Sequence, residues 1–341
     1  MAHKKQPDGS SPTIWTVAER AGVSHMTVSR YLRGDRLRPQ NQQRVEQAIA
    51  ELGYRFNDTA SELASRQPRR IGALVFEVDD WAPQRVLAGA AEAARESGHI
   101  LEMIRAEVGD ADSFTSALQM MNRASLAGVV VLSPPDQVME QMDMGSLQTP
   151  WVLEVEPHLP SGHPLALQHP LSLAVRHLAG LGHEDFFLLG GPEDWASGRN
   201  RATAFHTTVA VLGLEDRGAS RGPWTAENGY RAMEQFSGRE LPTAIVAASD
   251  QIALGALAWL RERGIAVPER VSITGHDGLR ESAFYAPALT TVAIDFAAMG
   301  RRAVQALVGG QYLGAGPSVE QYSFAGELVV RASTAAAKSV R

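Results

Sequence analysis

His25, Met26, Ser29 and Arg30 are the residues from which a chemistry can first be read. They fall within Thr13–Leu32, TIWTVAERAGVSHMTVSRYL, at helical positions that the apolar Val28 and Leu32 leave facing outward. A short helix carrying His, Met, Ser and Arg near its N-terminus suits the DNA major groove, where an arginine fork meets the guanine edge. Catalytic and metal chemistry find less support. His158, His163, His169, His177 and His183 match no metal spacing, the chain has no cysteine, and these histidines read as surface or cap residues. Gly190-Gly191 does not build a G-x-G-x-x-G loop, and neither G-x-S-x-G nor G-x-x-x-x-G-K-[ST] occurs. The expectation is a binding protein without metal or cofactor, not an enzyme.

The elements around the outward residues have clear signals. Thr13 can cap a first helix whose apolar face is Val17, Ala18 and Ala21. Gly22 stands where the chain must turn sharply, and Ser24 can cap the second helix. A polar turn with Gly34 and Pro39 leads to a third helix, predicted over Asn41–Leu52 and stopped by Gly53. Asn57–Arg66 follows, with Asn57 a good N-cap; a helix that short is not stable alone in water.

From Ile71 the pattern changes. Apolar runs at Ile71–Phe76, Ile100–Ile104, Gly128–Leu132, Trp151–Leu153, Phe186–Leu189, Ala244–Ala247 and Val271–Thr274 alternate with amphipathic helices. Those include Val86–Ser97, Ser113–Ala124, Leu171–Leu181, Arg199–Leu212, Ala226–Phe236 and Gln251–Arg263. Such alternation predicts α/β architecture with doubly wound parallel sheets, and the length favours two lobes around a cleft at the strand C-termini. The tail Ala332–Arg341 reads as frayed.

The charge is uneven. Residues 1–70 hold twelve Lys and Arg against seven Asp and Glu, a net of +5, whereas the whole chain is −6, so the remainder is −11. A basic head on an acidic body suits a head that meets phosphate. No stretch resembles a signal peptide or a membrane span, and a cytoplasmic location is expected.

Val17-Ala18, Ala21-Gly22-Val23-Ser24 and Thr27-Val28-Ser29-Arg30 resemble the helix-turn-helix of the lactose-repressor (LacI/GalR) family of bacterial transcription regulators. The resemblance extends over the body through Gly182-His183, Gly190-Gly191-Pro192, Arg199, Arg201, Ala248-Ser249-Asp250-Gln251, Gly275-His276-Asp277 and Leu289-Thr290-Thr291-Val292. It implies a three-helix DNA-binding domain at 1–56, a hinge helix and linker at 57–70, and a periplasmic-binding-protein-like core at 71–341. Within the core it implies an N-lobe at about 71–163 and 293–323, and a C-lobe at about 164–292 and 324–341. DNA contacts are implied for Thr16, Ser24, His25, Met26, Thr27, Ser29, Arg30, Asn57 and Leu63. Leu63 stands where the family wedges a leucine into the minor groove, while Thr16 replaces a common Asp and Ser61 a common Arg.

A sugar needs bidentate donors and acceptors for its hydroxyls and an aromatic face for its C–H side. The resemblance points to Arg201 and Asp277 for the first and Trp224 for the second; structural roles in an ion pair or the core are the alternatives. Asp80 and Trp81, on a loop before Ala82-Pro83, should rim the same cleft, and Trp195 offers a second stacking face. Ser249 and Asp250 follow a strand and are candidates, although Asp250 can equally cap the next helix; Glu154 and Glu156 are weaker ones. Gly278 and His276 depart from the family's acidic and aromatic residues. The resulting expectation is a homodimeric repressor of sugar-utilisation genes, bound to double-stranded operator DNA and switched by a sugar or glycoside. A corepressor-dependent regulator, or one with a non-sugar ligand, is the alternative.

Overall fold

The computed structural model describes residues 12–32, 35–54, 68–76, 80–141, 144–160, 162–311, 314–316, 318, 322 and 325–338. The chain divides into two compact units, Met1–Gln67 and Pro68–Arg341.

The first unit contains α1 (Ile14–Ala21), α2 (His25–Leu32) and α3 (Pro39–Leu52). Thr13 and Thr16 close a reciprocal capping box: the Thr13 hydroxyl accepts the Thr16 N–H at 3.3 Å, and the Thr16 hydroxyl accepts the Thr13 N–H at 2.8 Å. Gly22 sits at φ 63°, the left-handed conformation that ends α1. Val17, Ala18, Ala21, Val28, Val45 and Ala48 form the buried core. α3 begins two residues before the predicted Asn41, because Pro39 occupies its first turn, where no amide hydrogen is needed.

In the second unit, β1 (Arg70–Val75), β2 (Ile100–Arg105), β3 (Leu126–Leu132) and β4 (Trp151–Glu154) form a parallel sheet in the order β2-β1-β3-β4. Helices α4 (Trp81–Glu96), α5 (Ala111–Arg123) and α6 (Asp136–Gln141) belong to this part of the chain. The second sheet has the order β10-β9-β8-β7-β5-β6. Its strands are β5 (Asp185–Leu189), β6 (Glu215–Ser220), β7 (Ala244–Ala247), β8 (Ser272–Asp277), β9 (Thr290–Ala293) and β10 (Glu327–Val329). Only β10, against β9, runs antiparallel. With this lobe come α7 (Leu171–Gly180), α8 (Ala196–Leu212), α9 (Ala226–Met233) and α10 (Asp250–Glu262).

α11 (Phe296–Val308) returns to the first lobe and packs on α4. A Cβ on Gly89 would lie 1.9 Å from the Ala297 carbonyl oxygen, and one on Gly300 1.9 Å from that of Val86. Glycine at both positions lets the two helices meet backbone to backbone. Each sheet buries an apolar layer on both faces, which explains why inner strands such as β1, β3, β5 and β7 read as continuous apolar runs.

Three expectations are corrected. Asp80–Pro83 is not a loop: Trp81, Ala82 and Pro83 form the first turn of α4, with Asp80 at the N-cap position. The polar edge strand β6 and the short β9 and β10 lack the apolar runs that marked the other strands. The segment from Ala332 is not frayed over its described length. Ser333 is buried and donates to the Ile273 carbonyl, and the Ala337 N–H donates to that of Leu181. No helix among the described residues is long and apolar enough to cross a membrane, and no cluster there could hold a metal ion.

Candidate functional site: a DNA-reading helix and an interlobe cleft

On the head, α2 presents His25, Met26 and Arg30 to solvent, with Ser29 half-buried. Met26 is 64% exposed, an unfavourable place for so apolar a side chain unless another surface covers it. The Ser24 hydroxyl accepts the Thr27 N–H at 3.2 Å and lies 2.9 Å from the Thr27 hydroxyl, so both residues help start the helix. The Thr16 hydroxyl is likewise engaged in its own capping box. Arg30 Nε sits 3.4 Å from Asp35, an exposed pair that DNA can displace cheaply. Trp15 was missed by sequence reasoning: it is 62% exposed and its ring lies 4.1 Å from the His25 ring, centroid to centroid. An exposed tryptophan in the first turn of α1 was the available signal. Asn57 and Leu63 lie outside the described residues.

In the core, a cavity of about 810 Å³, including its solvent-open mouth, lies between the lobes. Seven strands deliver residues to it from their C-terminal ends. Asp80 and Trp81 follow β1, Ser133 and Pro134 follow β3, and Val155 and Glu156 follow β4. Trp195 and Arg201 follow β5, Trp224 follows β6, Gln251 follows β7, and Asp277 ends β8. Phe296 and Met299 at the start of α11 complete the wall. Both sheets reverse their strand order beside this point, between β1 and β3 and between β5 and β7, which opens a crevice there.

At the polar end, Arg201 Nη2 meets Asp277 Oδ1 at 2.9 Å, and both side chains are at least nine-tenths buried. Arg201 also donates to the Ala248 carbonyl, and its guanidinium carbon lies 4.8 Å from the Trp224 ring centroid. Asp277 takes φ 98°, a strained conformation for a residue with a Cβ, and His276 Nδ1 lies 2.9 Å from its carboxylate. Burial alone would raise the Asp277 carboxyl, but Arg201 and His276 hold it below its ordinary value. Glu156 is similar: burial opposes its charge, yet His169, Arg201 and Asn200 hold it down to about 2. Asn200 is fully buried and also accepts the Leu159 N–H, pinning the crossover between lobes.

The apolar end is aromatic. Trp81 meets Phe296 edge-on at 5.6 Å, and Trp195 and Trp224 line the opposite lobe. Trp224 lies directly on Gly191, where a Cβ would come within 2.2 Å of the indole. Outside this cavity, Arg199 forms a bidentate pair with Asp136, one arm at 3.0 Å, and the Asp136 N–H donates to the Asp194 carbonyl at 2.8 Å. These bonds tie the two lobes together.

Asp80, Trp81, Trp195, Arg201, Trp224 and Asp277 therefore converge on one cavity. Ser249 and Asp250 do not, and the expectation that they face a ligand is corrected. The Ser249 hydroxyl accepts the Ile252 N–H and caps α10. The fully buried Asp250 carboxylate takes the Leu279 N–H at 2.7 Å and the Thr291 hydroxyl at 2.5 Å. Gln251 lines the cavity instead. Glu154 is buried against Arg302, while Glu156 reaches the cavity. Of the histidines read as surface or cap residues, His169 and His183 are buried.

Residues 13–57 match the bacterial regulatory proteins of the lacI family, and residues 175–334 match the periplasmic binding protein-like domain. The lactose operon repressor of Escherichia coli (strain K12) is 30% identical over 302 residues, covering 87% of this chain and 84% of that protein. The crystal structure of the lac repressor dimer bound to operator and the anti-inducer ONPF superposes with a TM-score of 0.78 at 27% identity, covering 96% of this chain and all of the other. A complex of the transcriptional regulator CelR with cellobiose gives a TM-score of 0.66 at 25% identity, covering 94% and 99% of the two chains. With a helix-turn-helix head, a two-lobed α/β core and these relatives, the chain belongs to the lacI family of bacterial regulatory proteins.

Proposed function

We propose that this protein is a homodimeric transcriptional repressor whose hold on a pseudo-palindromic operator is switched by a small sugar or glycoside bound between the lobes. The observation that carries the reading is the cleft. It combines a buried Arg201–Asp277 pair, suited to sugar hydroxyls, with indole faces suited to sugar C–H groups. Both lobes contribute walls, so an occupant interacts differently with open and closed forms, and that difference drives a population shift. The lac repressor dimer on its operator and the cellobiose-bound CelR support the same assignment by likeness.

On the DNA side, two copies of α2 would read two half-sites about one helical turn apart. Arg30 would read guanine, with His25 and Met26 setting the neighbouring preference. The segment containing Asn57 and Leu63 would meet the operator's minor groove and carry the signal from the core.

The test is fluorescence anisotropy with labelled DNA from beside the protein's own gene, titrated with cellobiose, lactose and their component sugars. An active sugar should weaken operator binding about 5–150-fold, the usual range for allosteric coupling. Arg201→Ala should abolish that response. Tighter binding with sugar would reverse the sign and overturn the inducer reading. No response to any sugar, or a full response in Arg201→Ala, would overturn the cleft assignment.

A further inference from the structure

Arg199, Asn200 and Arg201 are successive residues near the start of α8, and each faces a different part of the molecule. Arg201 reaches Asp277 at the cleft, and Asn200 is fully buried against the crossover, where it accepts the Leu159 N–H. Arg199 crosses to the other lobe and forms its bidentate pair with Asp136, the first residue of α6. Asp136 follows β3, so this contact is separate from the crossover that follows β4.

The same two residues hold a turn. The successive carbonyls of Glu193, Asp194 and Trp195 are all taken by them. Arg199 Nη1 donates to Glu193 at 2.6 Å, the Asp136 N–H to Asp194 at 2.8 Å, and the Arg199 N–H to Trp195 at 3.1 Å. Trp195 stands at the end of that turn, immediately before α8, and lines the cavity. Ser197 lines it from the same lobe, shortly before Arg199, and Ser133 and Pro134 from the facing lobe, shortly before Asp136. The ion pair therefore bridges the lobes directly outside both walls. Its side chains are 29% and 39% exposed, so water and salt reach it. Such a pair biases an equilibrium by no more than about fivefold, a contact that forms often and breaks readily.

We propose that Asp136 and Arg199 form a clasp between the lobes, which holds Trp195 in the cavity wall and keeps the cleft shut until the ion pair breaks. Neither residue lines the cavity, so both are positioning residues. They act on an occupant through the Trp195 wall and through the fraction of time the cleft stands open. This rests on the reading of the cleft as the effector site and adds how access to it is controlled.

The experiment needs no ligand, so failure of the sugar reading leaves its result intact. The chain has no cysteine, and Glu140→Cys on α6 with Ala210→Cys on α8, both exposed, place one spin label on each lobe of the full chain. Labelled chains are exchanged with an excess of unlabelled chains, so that distances within one protomer dominate. Pulsed electron paramagnetic resonance then compares this parent with Asp136→Asn, Asp136→Arg and the exchanged pair Asp136→Arg with Arg199→Asp. Asp136→Asn should raise the ratio of longer to shorter distances about threefold, and Asp136→Arg, which sets two cations face to face, should raise it further. The exchanged pair should return within about twofold of the parent. Acrylamide quenching of tryptophan fluorescence reads the wall itself: quenching should increase in Asp136→Asn, and Trp195→Phe should remove that increase. Should Asp136→Arg unfold, Asp136→Asn and 1 M NaCl on the parent decide, each opening the lobes if the clasp is real. Unchanged distances in the variants, or an exchanged pair as open as Asp136→Arg, overturn the clasp. Added quenching that survives Trp195→Phe overturns the positioning of that wall.

Discussion

Replacing Asp277 by Asn tests the central ion pair at nearly constant volume. Arg201 and Asp277 are 5% and 10% exposed, with 2.9 Å between Nη2 and Oδ1. Unit charges about 4 Å apart at an effective dielectric near 20 attract by about 4 kcal/mol. In Asp277→Asn, Arg201 keeps the Ala248 carbonyl, the Trp224 face and the influence of the Glu156 carboxylate, but loses the carboxylate it pairs with directly. Removing one member of a buried pair typically costs about 3–5 kcal/mol, and those surviving contacts place the expected loss near the lower end, about 3 kcal/mol. Urea unfolding followed by tryptophan fluorescence should show the midpoint falling with an unchanged slope. Arg201→Met in the same background should recover much of the loss, because the orphaned charge is gone. A cost below about 1 kcal/mol for Asp277→Asn would refute the buried-pair argument. So would a double variant whose loss equals the sum of the single losses within about 0.5 kcal/mol.

Two further outcomes are expected. Asp250 should make stability depend on pH: burial first, and the neighbouring Asp277 charge second, push its carboxyl from 3.8 to about 7. Between those values the folded state binds more protons than the unfolded state, so this contribution falls as pH rises from about 4 to about 7. At 1.36 kcal/mol per pH unit the full effect is about 4 kcal/mol, and Asp250→Asn should flatten that part of a pH–stability curve; an unaltered curve would rule it out. Gly191→Ala should mimic loss of Trp224, since the new Cβ would lie 2.2 Å from the indole and must displace it. Affinity for any sugar that the wild type binds should fall about tenfold, in step with Trp224→Ala; unchanged titrations would mean that the indole does not contact the ligand.

Much of this architecture was legible because strands buried on both faces must be apolar throughout. Val129, Val130 and Val131 in β3 and Ile245 and Val246 in β7 are fully buried and announce themselves. β6, with the sequence EDRGAS, is a mostly exposed edge and carries no such mark. At the site, the resemblance located Arg201, Trp224 and Asp277 because their positions are tied to short local motifs. Asp250, a candidate because it follows a strand, with helix capping as the alternative, does neither, for a physical reason. Leu279 and Thr291, 29 and 41 residues away, supply the donors that hold this carboxylate in the core, and no local pattern reveals them. The stacking of His169 on His276 at 6.0 Å was illegible for the same reason: it exists only once β8 and the crossover segment have met.

The return of the chain through both lobes also sets a timetable. α4 lacks its packing partner until α11 has been made, and β8 lacks the bond from Ser333 until the segment after β10 has been made. The head is complete by Tyr54, whereas the sensing core awaits residues beyond 330. At about 5–20 residues per second, roughly 15–60 s of synthesis separate the two. During that interval each nascent chain carries a finished reading head and an unfinished sensor. Only chains that complete the core acquire a receptor able to respond.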